Sequence, residues 1–379
     1  MSGTSNAIAG LSLAEAGDAR LFSLPLADWQ RRAWARAGAR SDAAASTQVL
    51  ADSDWVLSPA LARAVVARPG AALMAAPQPG AAARAVALHL PPGALPGDFA
   101  PLLGESDAAR LEAAGLTPAS PEALAGTYDH ALRKRALPYA VSVSADGAAA
   151  VEERLYAGSY KGVTDLVTKY VWPRPALWAT RLCARLGLSP NTVTTLSLVL
   201  VVAAFWCFWN ALWAPGLVLG WAMTFLDTVD GKLARVTLQS SRWGNVYDHG
   251  IDLIHPPFWY LAVWHGLDGQ WGGNDVLDLS LAVILGGYVL GRVFEGIFMH
   301  RFGFHIHVWR RIDSVARVIT ARRNPNMLIL TVAAVPGYVA GGFIAVAAWT
   351  VFWLVFHFVR LVQALVAGRR HVSWLEATP

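Results

Sequence analysis

Four aspartates near the middle of the chain have the side chains and the spacing of a metal-binding cluster. Asp227 and Asp230 are three residues apart, and Asp248 and Asp252 are four residues apart. If both segments are helical, the two members of each pair project from the same face of their helix. Carboxylates suit Mg²⁺ or Mn²⁺, and several that converge on one point favour a two-metal arrangement. The spacing therefore predicts a two-metal site that can hold a diphosphate.

Small and basic residues accompany these acids. Gly231 and Gly244 remove side-chain bulk at one turn of each predicted helix, where a nucleotide or phosphate can approach the backbone. Arg235 follows Gly231 by one turn and is placed to meet phosphate charge. A purely structural set of buried acids would need matching cations nearby, and Lys232, Arg235 and Arg242 are too few for four carboxylates. A ligand-binding cluster is therefore the better interpretation.

The elements that must position these acids are apolar. Of the 379 residues only 15% are charged and 55% are hydrophobic, with 17 Trp and a formal net charge of +5. The mean hydropathy is +0.39, and this composition argues against a wholly soluble chain. The first 150 or so positions are rich in Ala, Pro and Gly, whereas long uncharged runs begin near Pro190. We therefore expect a soluble N-terminal part and a membrane C-terminal part.

Six membrane spans are predicted from stretches of about 20 mostly apolar residues. The spans cover 191–213, 215–226 with its charged continuation, about 244–265, about 277–299, and two crossings within 327–365 separated by a turn at 335–342. Lys and Arg concentrate in alternate loops, which predicts an integral membrane protein, interpreted as one of a bacterial inner membrane, with both termini cytoplasmic. Residues 1–17 show no secretory signal, which agrees with this orientation.

The acids and their neighbours together resemble the signature of a known family. The fixed positions are Asp227, Asp230, Gly231, Ala234, Arg235, Gly244, Asp248 and Asp252, spaced D-x2-D-G-x2-A-R-x8-G-x3-D-x3-D. This pattern is similar at every fixed position to that of the CDP-alcohol phosphotransferases, which are six-helix membrane enzymes. The resemblance covers about residues 159–368 and implies an all-α six-helix transmembrane bundle around the site.

The resemblance also implies a role for each matching residue. Asp227, Asp230 and Asp248 would hold a pair of divalent metals, Mg²⁺ or Mn²⁺, that bind the CDP diphosphate. Asp252 would contribute to the metal site and act as general base, taking the proton of an acceptor hydroxyl that attacks the phosphate next to the donor alcohol and expels CMP. The residues implied for the CDP moiety are Gly231, Ala234, Arg235 and Gly244.

The implied partners are a CDP-alcohol donor, an alcohol or phospho-alcohol acceptor and the lipid bilayer, without nucleic acid. CDP-diacylglycerol and CDP-inositol both stay open as donors, so the transferred group is of the phosphatidyl or the phospho-inositol type. A homodimer also stays open. The alternative from another functional class is a cation transporter that uses buried acids, which would show cation flux without CMP release.

A basic stretch between the fourth and fifth predicted spans bears on the acceptor. Arginine suits bidentate contact with a phosphate, and the candidates for an acceptor phosphate are Arg310, Arg317, Arg322 and Arg323. Contact of a positive-inside loop with lipid headgroups explains the same charges equally well. Three nearby histidines do not indicate a transition-metal site, because the chain has only two cysteines and no second ligand cluster is evident in the sequence. These histidines are His300, His305 and His307.

The N-terminal part alternates short strands and helices, which is typical of an α/β domain. LPLADWQRRAWARAGA and VLADSDWVLSPAL resemble segments of sugar-type nucleotidyltransferases, which are fused to this family in the bifunctional inositol-phosphate cytidylyltransferase and di-inositol-phosphate phosphate synthase type. The glycine-rich, Arg-containing loop of a working cytidylyltransferase is missing from the first 20 residues. We therefore expect a degenerate domain, with Asp52 and Asp54 as remaining metal-ligand candidates. A bifunctional enzyme that makes its own CDP-alcohol from CTP is the alternative.

The predicted organisation is multi-domain. A cytoplasmic α/β nucleotidyltransferase-like domain, 1–150, precedes an interfacial amphipathic segment, 151–188, and a six-span domain, 189–379. In the middle segment, apolar and aromatic residues alternate with Lys and Arg, which favours a position along the cytoplasmic membrane surface over a plain linker helix. The predicted function is metal-dependent transfer of a phospho-alcohol from a CDP-alcohol to an acceptor hydroxyl.

Overall fold

The computed structural model describes residues 9–14, 17–41, 45, 47–129, 132–267, 273–368 and 371–376. The chain forms two compact units. The first comprises Met1–Ala131, Arg135–Tyr160 and Ala234–Gln239, and the second comprises Leu132–Lys134, Lys161–Leu233 and Ser240–Pro379. A glycine-rich loop of a working cytidylyltransferase would lie within the first 20 residues, and of these, residues 1–8 and 15–16 lie outside the described residues.

The first unit is an α/β domain, as the sequence predicts. Its strands are β1 (Ala9–Leu13), β2 (Arg20–Leu21), β3 (Leu24–Pro25), β4 (Ala39–Arg40), β5 (Gln48–Ala51), β6 (Trp55–Leu57), β7 (Ala71–Ala75), β8 (Arg84–His89), β9 (Thr117–Ala119), β10 (Tyr128–Asp129), β11 (Lys134–Arg135) and β12 (Ala140–Ser142). Of β11, Arg135 belongs to this unit and Lys134 to the second. The helices of the first unit are α1 (Leu26–Ala37), α2 (Pro59–Val66), α3 (Pro96–Phe99), α4 (Ala108–Ala113), α5 (Pro121–Leu124), α6 (Val143–Asp146) and α7 (Ala148–Gly158), with a 3₁₀ turn at Ala100–Leu102.

A six-stranded mixed sheet organises this unit, in the order β4-β1-β5-β8-β7-β9. Strand β8 runs antiparallel to β5 and β7, with Leu50 opposite Leu88, while the other neighbours are parallel. The strands are apolar almost throughout because both faces of the sheet are covered. Trp34 of α1 and Leu61 of α2 are buried in the same core as Val49 and Leu73. The alternation of strands and helices in the sequence is thus explained by a layered α/β core.

The second unit is helical. After a π-helical turn at Val167–Val171 it contains α8 (Pro173–Arg185), α9 (Pro190–Trp209), α10 (Trp213–Val236), α11 (Arg242–Leu267), α12 (Asp275–Phe302), a 3₁₀ turn at Ile306–Val308, α13 (Arg311–Ala316), α14 (Arg323–Ala334) and α15 (Val339–Ala367). Helix α9 begins where Ser189 caps it by accepting from the backbone N–H of Thr192 at 3.1 Å. Proline at the first helical position suits that start, because its missing N–H would have no helical partner there.

One apolar core joins six of these helices, namely α9, α10, α11, α12, α14 and α15. Phe208, Met223, Trp259, Ile284 and Phe343 come from α9, α10, α11, α12 and α15 and are buried together. Aromatic side chains of this size contribute most of the apolar area that such a core removes from solvent. This core supports the ends of α10 and α11 that carry the four aspartates.

Three of the described helices are long and apolar enough to cross a membrane: Pro190–Trp209, Asp275–Phe302 and Val339–Ala367. Helices α10 and α11 are long enough as well, but their acidic and basic residues reduce their hydropathy. Helix α14 has only 12 residues, which is shorter than the roughly 20 residues that a span needs. A helical C-terminal part with three helices that could cross a membrane is therefore confirmed, whereas six spans and cytoplasmic termini stay predictions.

Two further features of these helices bear on the site. Pro256 and Pro257 lie inside α11, and because proline has no N–H, the carbonyl groups of Asp252 and Leu253 receive no helical hydrogen bond from four residues ahead.

In α8 the side chain of Trp178 is 69% exposed, beside Arg174 and Arg181. This exposed aromatic and basic surface agrees with an amphipathic helix, and its position at a membrane surface stays a prediction.

Candidate functional site

Three of the four aspartates converge. Asp227 and Asp230 lie on α10 and Asp248 lies on α11, and both segments are helical as the spacing predicts. Each of the three side chains offers a carboxylate oxygen, and these oxygens lie within 4.8 Å of one another. A donor set made only of carboxylate oxygens suits a hard divalent cation such as Mg²⁺ or Mn²⁺. The residues present therefore fit the metals that the sequence predicts.

The fourth aspartate, Asp252, is linked to this group by an arginine. One η-nitrogen of Arg323 donates to Asp252 Oδ1 at 2.5 Å, and the other donates to Asp227 Oδ2 at 2.5 Å. The side chain of Asp252 is 42% exposed, whereas that of Asp227 is 18% exposed. Asp252 is thus the more open of the two carboxylates.

Thr194 supports the buried member of the cluster and was not predicted from the sequence. Its hydroxyl lies on α9 and donates to Asp230 Oδ2 at 2.6 Å. A hydrogen bond to a buried carboxylate fixes the orientation of a metal ligand and keeps its other oxygen directed into the cluster. The signal available in the sequence was a group of hydroxyl-bearing residues in the first turns of a predicted span, but nothing in the sequence singles out Thr194 among them.

Gly244 lies where the start of α9 approaches the start of α11. A Cβ atom at this position would stand 2.8 Å from Asn191 Oδ1 and 3.0 Å from Ser241 Oγ. Only glycine admits that approach without a shift of the neighbouring side chains. Helix α10 carries the other predicted nucleotide-pocket residues beside Asp230, namely Gly231, Ala234 and Arg235.

The arginines of the basic stretch have different surroundings. Arg323 contacts the aspartates, whereas Arg322 donates to the carboxylate of Glu295. Arg310 lies over the ring of Trp309 at 4.6 Å. Burial and the neighbouring Arg322 lower the pKa of Arg317, which remains a cation at neutral pH because arginine starts from so high a value. Of the four acceptor candidates, the structure brings Arg323 into contact with the aspartates. Arg322 precedes it in the chain.

A second polar group surrounds Glu295 of α12. Glu295, His307 and His357 each offer one ligand atom, and these atoms lie within 4.8 Å of one another. Burial lowers the pKa of His307 well below its ordinary value, so the ring is neutral at neutral pH. The sequence signal was the pair Arg292 and Glu295, two opposite charges three residues apart within an apolar helix. The sequence did not predict that His307 and His357 lie beside this pair, because both are distant from it in the chain.

The N-terminal candidates Asp52 and Asp54 have structural partners. Asp54 accepts hydrogen bonds from the hydroxyls of Ser142 and Ser144, at 2.5 and 2.8 Å, and from the backbone N–H of Ser144 at 2.8 Å. Asp52 accepts from the backbone N–H of Asp54 at 2.9 Å and lies 3.8 Å from Arg84. Both acids therefore have hydrogen-bond or ion-pair partners within the first unit.

The comparisons with known proteins concern the second unit. Residues 187–357 match the family described as CDP-alcohol phosphatidyltransferase, and all four aspartates lie within this range. The phosphatidylinositol phosphate synthase of Streptomyces avermitilis is 26% identical over 198 residues, which cover 51% of this chain and 77% of that protein. The crystal structure of Mycobacterium tuberculosis phosphatidylinositol phosphate synthase with CDP-DAG bound aligns with a TM-score of 0.41 and 18% identity, over 50% of this chain and 94% of that one.

Proposed function

We propose, from the premise that residues 187–357 form a CDP-alcohol phosphatidyltransferase domain, that the protein transfers a phospho-alcohol from a CDP-linked donor to an acceptor hydroxyl and releases CMP. The observation that carries this proposal is the convergence of Asp227, Asp230 and Asp248 on α10 and α11, with carboxylate oxygens within 4.8 Å of one another. These residues are the ones to which the family signature gives the metal-binding role.

In this proposal the four aspartates divide the work. Asp227, Asp230 and Asp248 would hold divalent cations, Mg²⁺ or Mn²⁺, with Asp252 contributing to that site, and these cations would supply positive charge to neutralise the diphosphate. Asp252 takes the proton of the acceptor hydroxyl as its oxygen bonds to the phosphorus of the donor alcohol's phosphate. The bond between that phosphorus and the bridging oxygen of CMP breaks, and the electron pair leaves with CMP.

The exposure of Asp252 supports its role as base. A general base must meet a substrate that arrives from outside, and Asp252 is the less buried of the two carboxylates that Arg323 holds. The 2.5 Å hydrogen bond from Arg323 orients the carboxylate. For the CDP moiety we propose Gly231, Ala234, Gly244 and Arg235, and the tight space at Gly244 supports a requirement for a residue without a side chain.

We assign the acceptor phosphate to the arginines predicted for it, Arg310, Arg317, Arg322 and Arg323. Arg322 and Arg323 support this assignment best, because they are consecutive and Arg323 contacts the proposed base. The relative from Streptomyces avermitilis is a phosphatidylinositol phosphate synthase, and we therefore propose CDP-diacylglycerol as donor and an inositol phosphate as the first acceptor to test. Contact with lipid headgroups would instead make these arginines indifferent to the acceptor.

The test is CMP release by the purified full-length protein. CDP-diacylglycerol and CDP-inositol are each combined with inositol phosphate, inositol and glycerol phosphate, with Mg²⁺ or Mn²⁺, and CMP is measured by chromatography. We expect metal-dependent CMP release that is greatest with a phosphorylated acceptor. The matched control is Asp248→Asn, which should be inactive. Cation flux through liposomes without CMP release from any pair would contradict the proposal and support a transporter.

A further inference from the structure

Glu295 is a carboxylate that the proposed reaction leaves without a role. Its side chain on α12 is 19% exposed and accepts from Arg322 of the basic stretch. Arg292, one turn earlier on α12, lies 3.3 Å from the same carboxylate, and His307 Nε2 lies 3.2 Å from it. Since His307 is neutral, one negative charge faces two guanidinium groups, and the group as a whole is positive.

Electrostatics argue against a metal at this second group. Glu295, His307 and His357 have suitable ligand atoms, but an η-nitrogen of Arg322 hydrogen-bonds to Glu295 Oε1 and lies 3.4 Å from His307 Nε2. A cation shared by those two ligands would meet the Arg322 guanidinium at close range and Arg292 near by. Like charges so close repel strongly in a partly buried site. The group is suited to an anion.

A ring of contacts connects Glu295 to the proposed base. Arg322 and Arg323 are neighbours, so their Cα atoms are about 3.8 Å apart, and Arg323 reaches Asp252 while Arg322 reaches Glu295. On the other side, the guanidinium of Arg292 lies over the ring of Tyr288 at 5.3 Å. The Tyr288 hydroxyl donates to the carbonyl of Leu253 at 2.8 Å, and Leu253 follows Asp252 in the chain.

The start of α14, which carries Arg322 and Arg323, is held in place by two buried asparagines. The amide of Asn324 donates to Asp165 Oδ1 at 2.9 Å, and the amide of Asn326 donates to the Tyr260 hydroxyl at 2.7 Å. Both asparagines are buried. The backbone that follows Arg322 is therefore anchored at two points. With that backbone fixed, the contacts of the Arg322 side chain set the direction of its guanidinium, and the carboxylate that it contacts is Glu295.

We infer that Glu295 is a positioning residue for the acceptor. It holds the guanidinium groups of Arg322 and Arg292 so that their remaining N–H groups bind the phosphate monoester of an acceptor alcohol beside Asp252. An arginine has five N–H donors in a fixed planar fork, and one carboxylate uses only part of them. The inference rests on the proposed function, and Glu295 acts through the arginines without touching the reacting atoms.

The test is the isosteric change Glu295→Gln in the full-length protein, with CDP-diacylglycerol and inositol phosphate as substrates. Loss of a charge-assisted contact to each arginine should raise the KM for inositol phosphate about tenfold, with a smaller change in kcat and in the donor KM. With unphosphorylated inositol the variant and the wild type should differ much less. Glu295→Asp, which keeps the charge, should recover part of the loss.

Asp278→Asn is the matched control, because Asp278 lies in the first turn of α12, toward the opposite end of that helix from Glu295, and accepts from the indole N–H of Trp264 at 2.8 Å. It should lower the thermal midpoint without a selective change in acceptor KM. A Glu295→Gln variant that behaves like this control, or raises both KM values equally, overturns the positioning role.

A second measurement separates this inference from the proposed function. Inorganic phosphate at millimolar concentration should raise the thermal midpoint of the wild type and have much less effect on Glu295→Gln. Absence of CMP release by the wild type would refute the proposed function, and the phosphate measurement would still decide whether Glu295 organises an anion site. Equal phosphate stabilisation of both proteins would overturn the inference even in an active enzyme.

Discussion

Asp252 and Asp227 both contact the guanidinium of Arg323 but have different proposed roles. Substitution of each aspartate distinguishes the two roles. Asp252→Asn keeps the size of the side chain and removes its capacity to take a proton, so turnover should fall by about 10²–10⁴-fold while CDP-alcohol binding persists. Asp227→Asn should instead weaken metal-dependent binding of the CDP-alcohol. Binding is measured by equilibrium dialysis and turnover by CMP release.

Equal loss of binding and turnover in Asp252→Asn would reduce Asp252 to a metal ligand. Unchanged metal-dependent binding in Asp227→Asn would overturn the metal assignment. The thermal midpoint of each variant is also measured with and without Mg²⁺, because Arg323 loses a charged partner in each case. This measurement separates a loss of folding stability from a loss of binding or turnover.

Thr194 provides a second prediction for a single residue. Thr194→Val is nearly isosteric and removes the hydrogen bond to Asp230, which, as a bond to a charged group, contributes about 1.5–3 kcal/mol. The Mn²⁺ concentration that half-saturates binding should rise accordingly, by roughly tenfold or more. Electron paramagnetic resonance of free Mn²⁺ measures it directly.

Two comparisons make the Thr194 prediction specific. Thr194→Ser keeps the hydroxyl and should bind Mn²⁺ nearly as the wild type does. Thr195→Val removes the neighbouring hydroxyl, which donates to the Asn191 carbonyl at 2.9 Å, and should leave Mn²⁺ binding unchanged. Similar Mn²⁺ affinity in Thr194→Val and the wild type would show that Thr194 serves packing only.

Sequence spacing is informative about residues that share a helix and silent about partners distant in the chain. The intervals within Asp227/Asp230 and Asp248/Asp252 predict helical pairs because both members follow one local geometry. The bridge from Arg323 joins residues 96 and 71 positions away, and no local pattern encodes it. The basic stretch therefore indicated phosphate or lipid without showing which arginine meets the aspartates.

At the scale of elements, the start of α11 depends on a close approach to α9, and two glycines of α11 test it. A Cβ at Gly244 would stand 2.8 Å from Asn191, whereas nothing lies within 4 Å of a Cβ at Gly250. Gly244→Ala should destabilise the protein by about 1–3 kcal/mol and weaken CDP-alcohol binding. Gly250→Ala should be neutral or stabilising by up to about 1 kcal/mol.

Thermal midpoints and CDP-alcohol binding of the two variants decide the question. If crowding against Asn191 is the cause, adding Asn191→Ala to Gly244→Ala should recover part of the stability, which a double-mutant cycle measures. Equal behaviour of Gly244→Ala and Gly250→Ala would show that the approach of the two helices does not constrain this position.

Element types were easier to predict than element lengths. Both helical acid segments and the α/β pattern of the N-terminal part are confirmed, because their periodicities are strong. The fifth predicted span, by contrast, began near Met327 on apolar composition, and the structure gives α14 as Arg323–Ala334 with polar Asn324 and Asn326 buried in its first turn. Buried polar contacts set the start of that helix, and hydropathy does not report them.

For the whole molecule, the question is whether the first unit catalyses. A cytidylyltransferase must neutralise the triphosphate of CTP with a backbone cradle and a basic residue. Asp52 and Asp54, the remaining metal-ligand candidates, form hydrogen bonds with other residues of the first unit. We therefore expect the full-length protein to release no pyrophosphate from CTP with inositol phosphate or glycerol phosphate. A coupled pyrophosphate assay, with CMP release from supplied CDP-diacylglycerol as the positive control, measures this.

CTP-dependent pyrophosphate release that disappears in Asp52→Asn or Asp54→Asn would promote the bifunctional alternative. The sequence could predict the α/β class of this unit because its sheet is built from short, continuous apolar strands such as β7 and β8. Its catalytic competence depends on a loop and on side-chain partners, which a strand pattern does not specify.

The two consecutive prolines of α11 have a mechanical consequence. A helix that lacks two successive hydrogen bonds bends there at lower cost than elsewhere, and the two carbonyls left without amide donors belong to Asp252 and Leu253. The Tyr288 hydroxyl of α12 donates a hydrogen bond to the carbonyl of Leu253 at 2.8 Å. This bond connects α11 to α12 at the position where α11 lacks internal hydrogen bonds. The proposed base therefore lies in the turn of α11 that has lost helical hydrogen bonds, and we expect bending of α11 to move Asp252 more than Asp248, one turn earlier.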